Sequence, residues 1–249
     1  MAVQNETLLP PGHPHRRNFL KVSGALTALA LVGTGALSCT AYADALTKAQ
    51  RDKLTPDDIL ALMKKGNKRF YTGQREAYDF LAQQRASAKG QYPAAVLLSC
   101  IDSRAPAETI LDLRIGDIFN SRVAGNVANA DILGSMEFAC KLSGAKVVLV
   151  MGHTSCGAIK GAIDNAELGN LTGLLEKIRP AVEATTYTGE RTSTNYAFVD
   201  AVARKNVDIT IANIRKGSPV LAEMESKGAI KMAGAMYNLE TGVVDFFKA

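Results

Sequence analysis

The sequence contains no tryptophan and few of the residues that bind metals or form disulfide bonds. It has four cysteines, three histidines and 6% aromatic residues among 249 positions. So few cysteines exclude a fold held together by disulfide bonds. Charge of one sign is scarce as well, because 29 Lys and Arg stand against 24 Asp and Glu, for a net charge of +5. This small excess is not the basic surface of a nucleic-acid binder, so we expect no nucleic-acid partner.

The remaining composition is that of a globular protein. Hydrophobic residues make up 47% and charged residues 21% of the chain, with 21 glycines and 8 prolines. These proportions exclude a collagen-like, low-complexity or wholly disordered chain. The length is sufficient to bury a hydrophobic core without disulfide bonds.

The first segment has the three ordered parts of an export signal. Residues 15–21, with the sequence HRRNFLK, resemble the twin-arginine consensus, although His15 stands where Ser or Thr is usual. An uncharged apolar run follows over residues 22–37, and Ala41-Tyr42-Ala43 then forms a small-x-small cleavage site. We therefore predict that residues 1–43 are a signal peptide removed after Ala43, and that the protein is periplasmic.

Two alternatives stay open for this segment. One is an uncleaved anchor helix, although residues 22–37 are fewer than the roughly 20 apolar residues that a membrane span needs. The other is lipidation at Cys39, although Ala36 occupies the position where a lipoprotein signal prefers Leu. Since the apolar run is short, we expect no stable membrane insertion.

Residues 44–249 are predicted to form one domain, because helical and strand-like segments alternate along them. Thr55 and Pro56 are typical of a helix start, and with a helix at Glu76–Lys89 they predict an N-terminal helical arm. Further helices are predicted at Asp131–Leu142, Asn170–Glu183 and Tyr196–Ile214. Short apolar runs predict buried parallel strands at Ala94–Ser99, Ile118–Val123, Lys146–Met151 and Ala229–Tyr237, with Gly242–Phe247 as an antiparallel edge strand. This pattern indicates an α/β fold with a mostly parallel central sheet and helices on both faces.

Potential metal ligands follow two of the predicted strands. Cys100 comes directly after Ala94–Ser99, whereas His153 and Cys156 follow Lys146–Met151. Because sites in open α/β sheets form at the carboxyl ends of strands, we expect these three side chains to lie together. His153 is the one histidine that remains after cleavage at Ala43.

Two thiolates and one imidazole suit zinc, and a set of three ligands leaves a fourth position open, as in catalytic sites. Cys140 lies in line with apolar residues of a predicted helix, so we expect it in the core. A disulfide between Cys100 and Cys156 is the alternative, since the periplasm is oxidising. The twin-arginine route exports folded proteins, which favours metal loading in the reducing cytoplasm before that exposure.

The two motifs together resemble the signature of the β-class carbonic anhydrases. They are CIDSR at residues 100–104 and HTSCG at residues 153–157. The resemblance covers most of the mature chain. It implies a zinc ion held by Cys100, His153 and Cys156, and the reversible hydration of carbon dioxide to bicarbonate.

The resemblance also implies roles for neighbouring residues. In this family the equivalents of Asp102 and Arg104 form a pair that leaves one zinc position open to water. When Arg104 releases it, Asp102 can itself bind zinc and close the site. Gln91 matches the position of a glutamine that hydrogen-bonds substrate, so Asp102, Arg104 and Gln91 are the expected catalytic residues. The family further implies a homodimer or a dimer of dimers.

Two other functions stay open. The same fold and ligands host zinc hydrolases of COS or CS₂, and the site could belong to a non-catalytic zinc-binding protein. Asp102, Arg104 and Gln91 favour an enzyme, because a structural zinc site needs none of them.

Overall fold

The computed structural model describes residues 45–247, whose strands form one sheet. The strands are β1 (Ala95–Ser99), β2 (Ile118–Arg122), β3 (Val147–His153), β4 (Lys231–Tyr237) and β5 (Val244–Phe247), in the spatial order β2-β1-β3-β4-β5. β1 to β4 run parallel, and β5 pairs antiparallel with β4 at one edge. The predicted α/β fold with a mostly parallel sheet and an antiparallel edge strand is confirmed.

Helices surround this sheet and connect its strands. They are α1 (Lys48–Lys53), α2 (Pro56–Tyr71), α3 (Phe80–Ser87), α4 (Ala107–Ile110), α5 (Ala130–Glu137), α6 (Gly157–Ile163), α7 (Gly169–Glu176), α8 (Arg179–Ala184), α9 (Tyr196–Gly217) and α10 (Pro219–Ser226). A 3₁₀ turn at Ala124–Asn126 precedes α5, and a π-helical turn at Phe138–Leu142 follows it. α2 begins as predicted: the Thr55 hydroxyl accepts from the Asp58 N–H, and the Asp58 carboxylate accepts from the Thr55 N–H.

The side chains of β1 alternate between two hydrophobic layers. Ala95 and Leu97 pack with residues of α2 on one face, whereas Val96 and Leu98 pack with residues of α9 on the other. This alternation follows from the two-residue period of a strand. Both faces of the sheet are therefore covered by helices, which leaves the strand ends as the places where a site can form.

Two predicted helices have different bounds in the structure. The helix expected at Glu76–Lys89 starts only at Phe80, because the Glu76 N–H and the Tyr78 hydroxyl both donate to Asp112 and hold their segment extended. The helix expected at Asn170–Glu183 is interrupted between α7 and α8. Pro180 stands in the first turn of α8, where its missing N–H is tolerated but cannot continue a preceding helix.

The third strand is longer than the sequence indicates. β3 extends beyond the expected Met151 through Gly152 to His153, because these two residues pair with Met236 and Tyr237 of β4. Glycine suits position 152, since an added Cβ would lie 2.8 Å from the Met236 sulfur. His153 is therefore the last residue of a strand rather than part of the following loop.

No helix within residues 45–247 is both long and apolar enough to cross a membrane. The predicted signal peptide at residues 1–43 lies outside the described residues, as do Cys39 and the cleavage site after Ala43.

Close packing of α2 against the loop after α4 yields a stability prediction. A Cβ added at Gly66 would overlap the backbone carbonyl oxygen of Leu111. We expect Gly66→Ala to lower the free energy of unfolding by about 1–3 kcal/mol, as in other overpacked sites. Gly173→Ala is the matched control, because Gly173 is also helical and an added Cβ there meets nothing within 4 Å. Urea unfolding measures both, and equal stability of the two variants would contradict the packing argument.

Candidate metal centre

The parallel pairing of β1 and β3 brings the three predicted ligands together. Ser99 lies beside Met151 in this pairing, so Cys100 and His153 lie at the same carboxyl end of the parallel strands. Cys156 follows as the residue that caps α6. The ligand atoms of these three residues lie within 4.8 Å of one another, and the Cys100 and Cys156 Sγ atoms are 3.9 Å apart.

The histidine is oriented to offer one ring nitrogen to this cluster. His153 is 1% exposed, and its Nδ1 lies 2.9 Å from the carbonyl oxygen of Thr154. Because a carbonyl only accepts, Nδ1 carries the proton and Nε2 carries the lone pair. Nε2 is buried and has no hydrogen-bond partner among the described residues. A buried lone pair without a partner is what a metal ligand requires, and the Nδ1–H···O=C bond is the usual way to fix such a ring.

The spacing of the two sulfurs fits a shared tetrahedral metal. Two thiolates at about 2.3 Å from one tetrahedral ion would be about 3.8 Å apart. The observed 3.9 Å agrees with that value, and both cysteines are free thiols in the structure. The alternative disulfide is therefore not formed here. Two sulfurs and one nitrogen make up the donor set, which leaves one tetrahedral position for another ligand.

The hydrogen bond between the two thiols gives them different pKa values, with Cys156 keeping its proton and Cys100 losing it more easily. The hydrogen bond from Cys156 lowers the pKa of Cys100, and the bond from the Gly125 N–H acts in the same direction, against the effect of burial. The same bond, together with burial, raises the pKa of Cys156. The cluster therefore already stabilises one thiolate, and a bound cation would displace the remaining proton.

Cys140 behaves as a core residue, as expected. It is 2% exposed, lies in the π-helical turn after α5, and packs among apolar residues of that turn and α9. Burial raises the pKa of its thiol to about 12. This contrast with Cys100 makes Cys140 a natural control for experiments on the cluster.

Asp102 and Arg104 form a bidentate pair beside the cluster. Arg104 Nε donates to Oδ1 of Asp102 at 2.9 Å and Arg104 Nη2 donates to Oδ2 at 2.8 Å, while the Arg104 backbone N–H also donates to Oδ1. Asp102 Oδ2 lies 3.8 Å from His153 Nε2. The Arg104 guanidinium holds the pKa of Asp102 well below its usual range, so this carboxylate is ionised at neutral pH.

A second arginine supports the loop that carries this pair. Arg122, the last residue of β2, donates through Nε to the Cys100 carbonyl at 2.9 Å and through Nη2 to the Asp102 carbonyl. Arg122 is not among the site residues predicted from the sequence. A charged residue at the carboxyl end of the strand beside β1 is the signal that could have found it.

Gln91 is not brought to the cluster within one chain. It is exposed and precedes β1, whereas Cys100 follows β1. Five strand residues separate the two ends by about 17 Å, at about 3.3 Å per residue. The structure thus brings together Cys100, His153, Cys156, Asp102 and Arg104, but it leaves Gln91 at the amino-terminal end of the parallel strands, opposite the cluster.

Comparisons with known proteins agree with this geometry. Residues 95–244, which include both motifs, match the sequence model of the carbonic anhydrase family, and residues 13–33 match that of twin-arginine translocation signals, which supports export. Carbonic anhydrase 2 of Mycobacterium tuberculosis is 33% identical over 186 residues, covering 72% of this chain and 87% of that protein.

Solved structures show the same fold. A β-carbonic anhydrase of Aspergillus fumigatus is 27% identical, covers 77% of this chain and 89% of its own, and has a TM-score of 0.58. A structure from a study of two tetrameric β-carbonic anhydrases of Sordaria macrospora has 23% identity and a TM-score of 0.57, covering 65% of this chain and 84% of its own. The chain therefore belongs to the carbonic anhydrase family, in its β class, and is a lyase that hydrates carbon dioxide.

Proposed function

We propose that this chain catalyses the zinc-dependent, reversible hydration of carbon dioxide to bicarbonate in the periplasm. The observation that carries the proposal is the cluster of two thiols and one imidazole beside the Asp102–Arg104 pair. Its donor atoms suit zinc, and its three ligands correspond to a catalytic rather than a closed structural site. No fourth cysteine or histidine belongs to the cluster among the described residues.

Cys100, His153 and Cys156 would hold the zinc ion. When bound, zinc would supply a Lewis acid that lowers the pKa of water to about 7, so that a nucleophile for carbon dioxide is available at neutral pH. The residues of the chain supply the remaining requirements. Their near-complete burial keeps competing solvent away, and the His153 Nδ1 bond to Thr154 keeps the ring in place as a ligand.

Asp102 has the position and charge to orient the nucleophile. Oδ1 already accepts two hydrogen bonds from Arg104, whereas Oδ2 accepts one and can accept a further hydrogen bond. Because Arg104 keeps the pKa of Asp102 low, Asp102 acts as an acceptor and not as a general acid at neutral pH. Arg104 also prevents Asp102 from turning towards the metal ligands. In the absence of this restraint, we propose that Asp102 becomes the fourth ligand and closes the site.

Gln91 is proposed to act at the site of a neighbouring subunit, since it lies before β1, at the opposite end of the strands from the cluster in its own chain. We propose a homodimer or a dimer of dimers. β2 supports this assembly, because it is an edge strand and its outer side has no partner strand in the part of the chain described here. Phe138, which is exposed and packs against Phe119 of β2, would be covered by a second copy.

Stopped-flow carbon dioxide hydration by the purified mature protein, with its zinc content measured, tests the proposed function. We expect about one zinc per chain, as for a single catalytic site, and rapid hydration. The same preparation is assayed with COS and CS₂. Faster turnover of either compound than of carbon dioxide would favour the alternative hydrolase, and zinc without turnover of any of the three would favour a non-catalytic binding protein.

The ligand assignment predicts that zinc and activity are lost together. Cys100→Ser replaces a thiolate that the cluster stabilises, so we expect zinc binding to fall sharply with hydration activity. Cys140→Ser is the matched control, because this cysteine is equally buried but far from the ligands. Metal analysis after dialysis against a chelator measures the difference. Full zinc occupancy in Cys100→Ser would show that the ligand assignment is wrong.

The pairing of Asp102 with Arg104 predicts two kinds of slow enzyme. Arg104→Ala should keep zinc but lose most activity, because the freed carboxylate closes the site. Asp102→Ala should also keep zinc, since three ligands remain, and should be slow because the nucleophile is no longer oriented. The double variant should be no slower than Asp102→Ala, as for residues that act as a unit. Near-normal hydration by Arg104→Ala from neutral to alkaline pH would reduce the pair to an ordinary ion pair.

Export is predicted to depend on the twin-arginine segment. Replacing Arg16 and Arg17 with lysine should leave an unprocessed precursor in the cytoplasm, because the matched signal lies at residues 13–33. We propose that the unaltered protein is cleaved after Ala43, and N-terminal sequencing of periplasmic material should begin at Asp44. A mature protein that begins at Met1 or carries a lipid on Cys39 would contradict this proposal.

A further inference from the structure

We propose that helix α9 positions the metal ligands through two polar side chains, Asp200 and Asn206. This inference rests on the proposed zinc site, because it concerns how the chain holds the segments that carry the ligands. Each side chain binds the backbone of a turn next to one of the two thiols. Neither residue belongs to the two motifs at residues 100–104 and 153–157.

Asp200 holds the turn between His153 and Cys156. Ser155 in this turn has φ of +57°, a left-handed conformation that a residue with a side chain rarely adopts. Its N–H donates to Oδ1 of Asp200 at 2.8 Å. On the other side of the turn, the Thr154 N–H donates to the Tyr237 carbonyl at 2.9 Å. The bond to Asp200 therefore helps to keep an unfavourable turn that places both ligands on one side.

Asn206 holds the turn beside Cys100. Its Nδ2 donates to the Gly125 carbonyl at 2.7 Å, and the Gly125 N–H lies 3.4 Å from Cys100 Sγ and donates to it. Gly125 has φ of +66°, and an added Cβ would lie 2.5 Å from Cδ1 of Ile178. Asn206 itself is 1% exposed. Because it fixes the orientation of Gly125, Asn206 determines where this N–H meets the sulfur.

One rigid element therefore contacts the segments of both thiols. Asp200 and Asn206 lie six positions apart, about 9 Å along the axis of one helix. Between them, Val202 and Ala203 are buried in the cluster of apolar residues that also contains Cys100 and Cys156. Ligands are held more accurately when their supporting bonds come from a packed helix than from loops. Loss of such supporting hydrogen bonds typically weakens metal binding by about 10–100-fold.

The test follows the loss of zinc from the purified holoenzyme to an excess of chelator. Asp200→Ala and Asn206→Ala are each expected to weaken zinc binding by about 10-fold or more. Asp200→Asn is expected to behave like the unaltered protein, because its amide oxygen can still accept from the Ser155 N–H. Thr210→Ala is the matched control, since Thr210 is buried on the same helix but its side chain makes no hydrogen bond to either turn within residues 45–247.

A second readout separates positioning from a general loss of stability. In cobalt-substituted protein, the thiolate-to-cobalt absorption bands report the geometry of the sulfurs. We expect Asp200→Ala and Asn206→Ala to shift these bands, and Thr210→Ala and Asp200→Asn to leave them in place. Thermal unfolding of each metal-free variant measures its stability independently of the metal.

Unchanged zinc affinity and cobalt spectra in both alanine variants would overturn the positioning role and leave the proposed function intact. If Asp200→Asn fails like Asp200→Ala, the charge of Asp200 and not its hydrogen bond is what matters, and the inference is wrong for that arm. If the unaltered protein binds neither zinc nor cobalt, the proposed function fails first.

Discussion

The parallel pairing of β1 with β3 is the constraint on which the rest of the site depends. It places Cys100 and His153 at the carboxyl end of these two strands, and the turn that follows β3 brings Cys156 next to them. Two thiols and an imidazole are thereby held within 4.8 Å in a buried environment. The buried Nε2 of His153 has no hydrogen-bond partner among the described residues, and because burying an unpartnered polar atom is costly, this atom is an argument for a bound cation.

Hydrogen bonds from several different elements hold the segments that carry this cluster. Arg122 of β2 binds the carbonyl groups of the loop that carries Cys100 and Asp102, and Arg104 holds the Asp102 carboxylate. Helix α9 contacts the turns beside both thiols. Because these bonds come from strands and helices already packed in the core, the ligands need little rearrangement to bind a metal.

Residue type and position along the strands were sufficient to predict that the three candidate ligands lie together. Cys100, His153 and Cys156 could be found because they are residue types that bind metals and because they follow the carboxyl ends of two predicted strands. Pro180 interrupts a predicted helix, and Asp112 shortens another, because such tertiary contacts leave no periodic signal. Asp200 and Asn206 could not be predicted, since each acts through a backbone group far away in the sequence. Gln91 was predicted from a resemblance, and only the fold reveals that its own sheet separates it from the cluster.

The central claim is that Cys100, His153 and Cys156 bind zinc through two sulfur atoms and one nitrogen atom. X-ray absorption at the zinc edge of the purified mature protein tests it most directly, because this method counts sulfur and nitrogen or oxygen neighbours. We expect two sulfurs at about 2.3 Å and two nitrogen or oxygen atoms at about 2.0–2.1 Å. A zinc ion with four sulfur neighbours, or with none, would contradict the account.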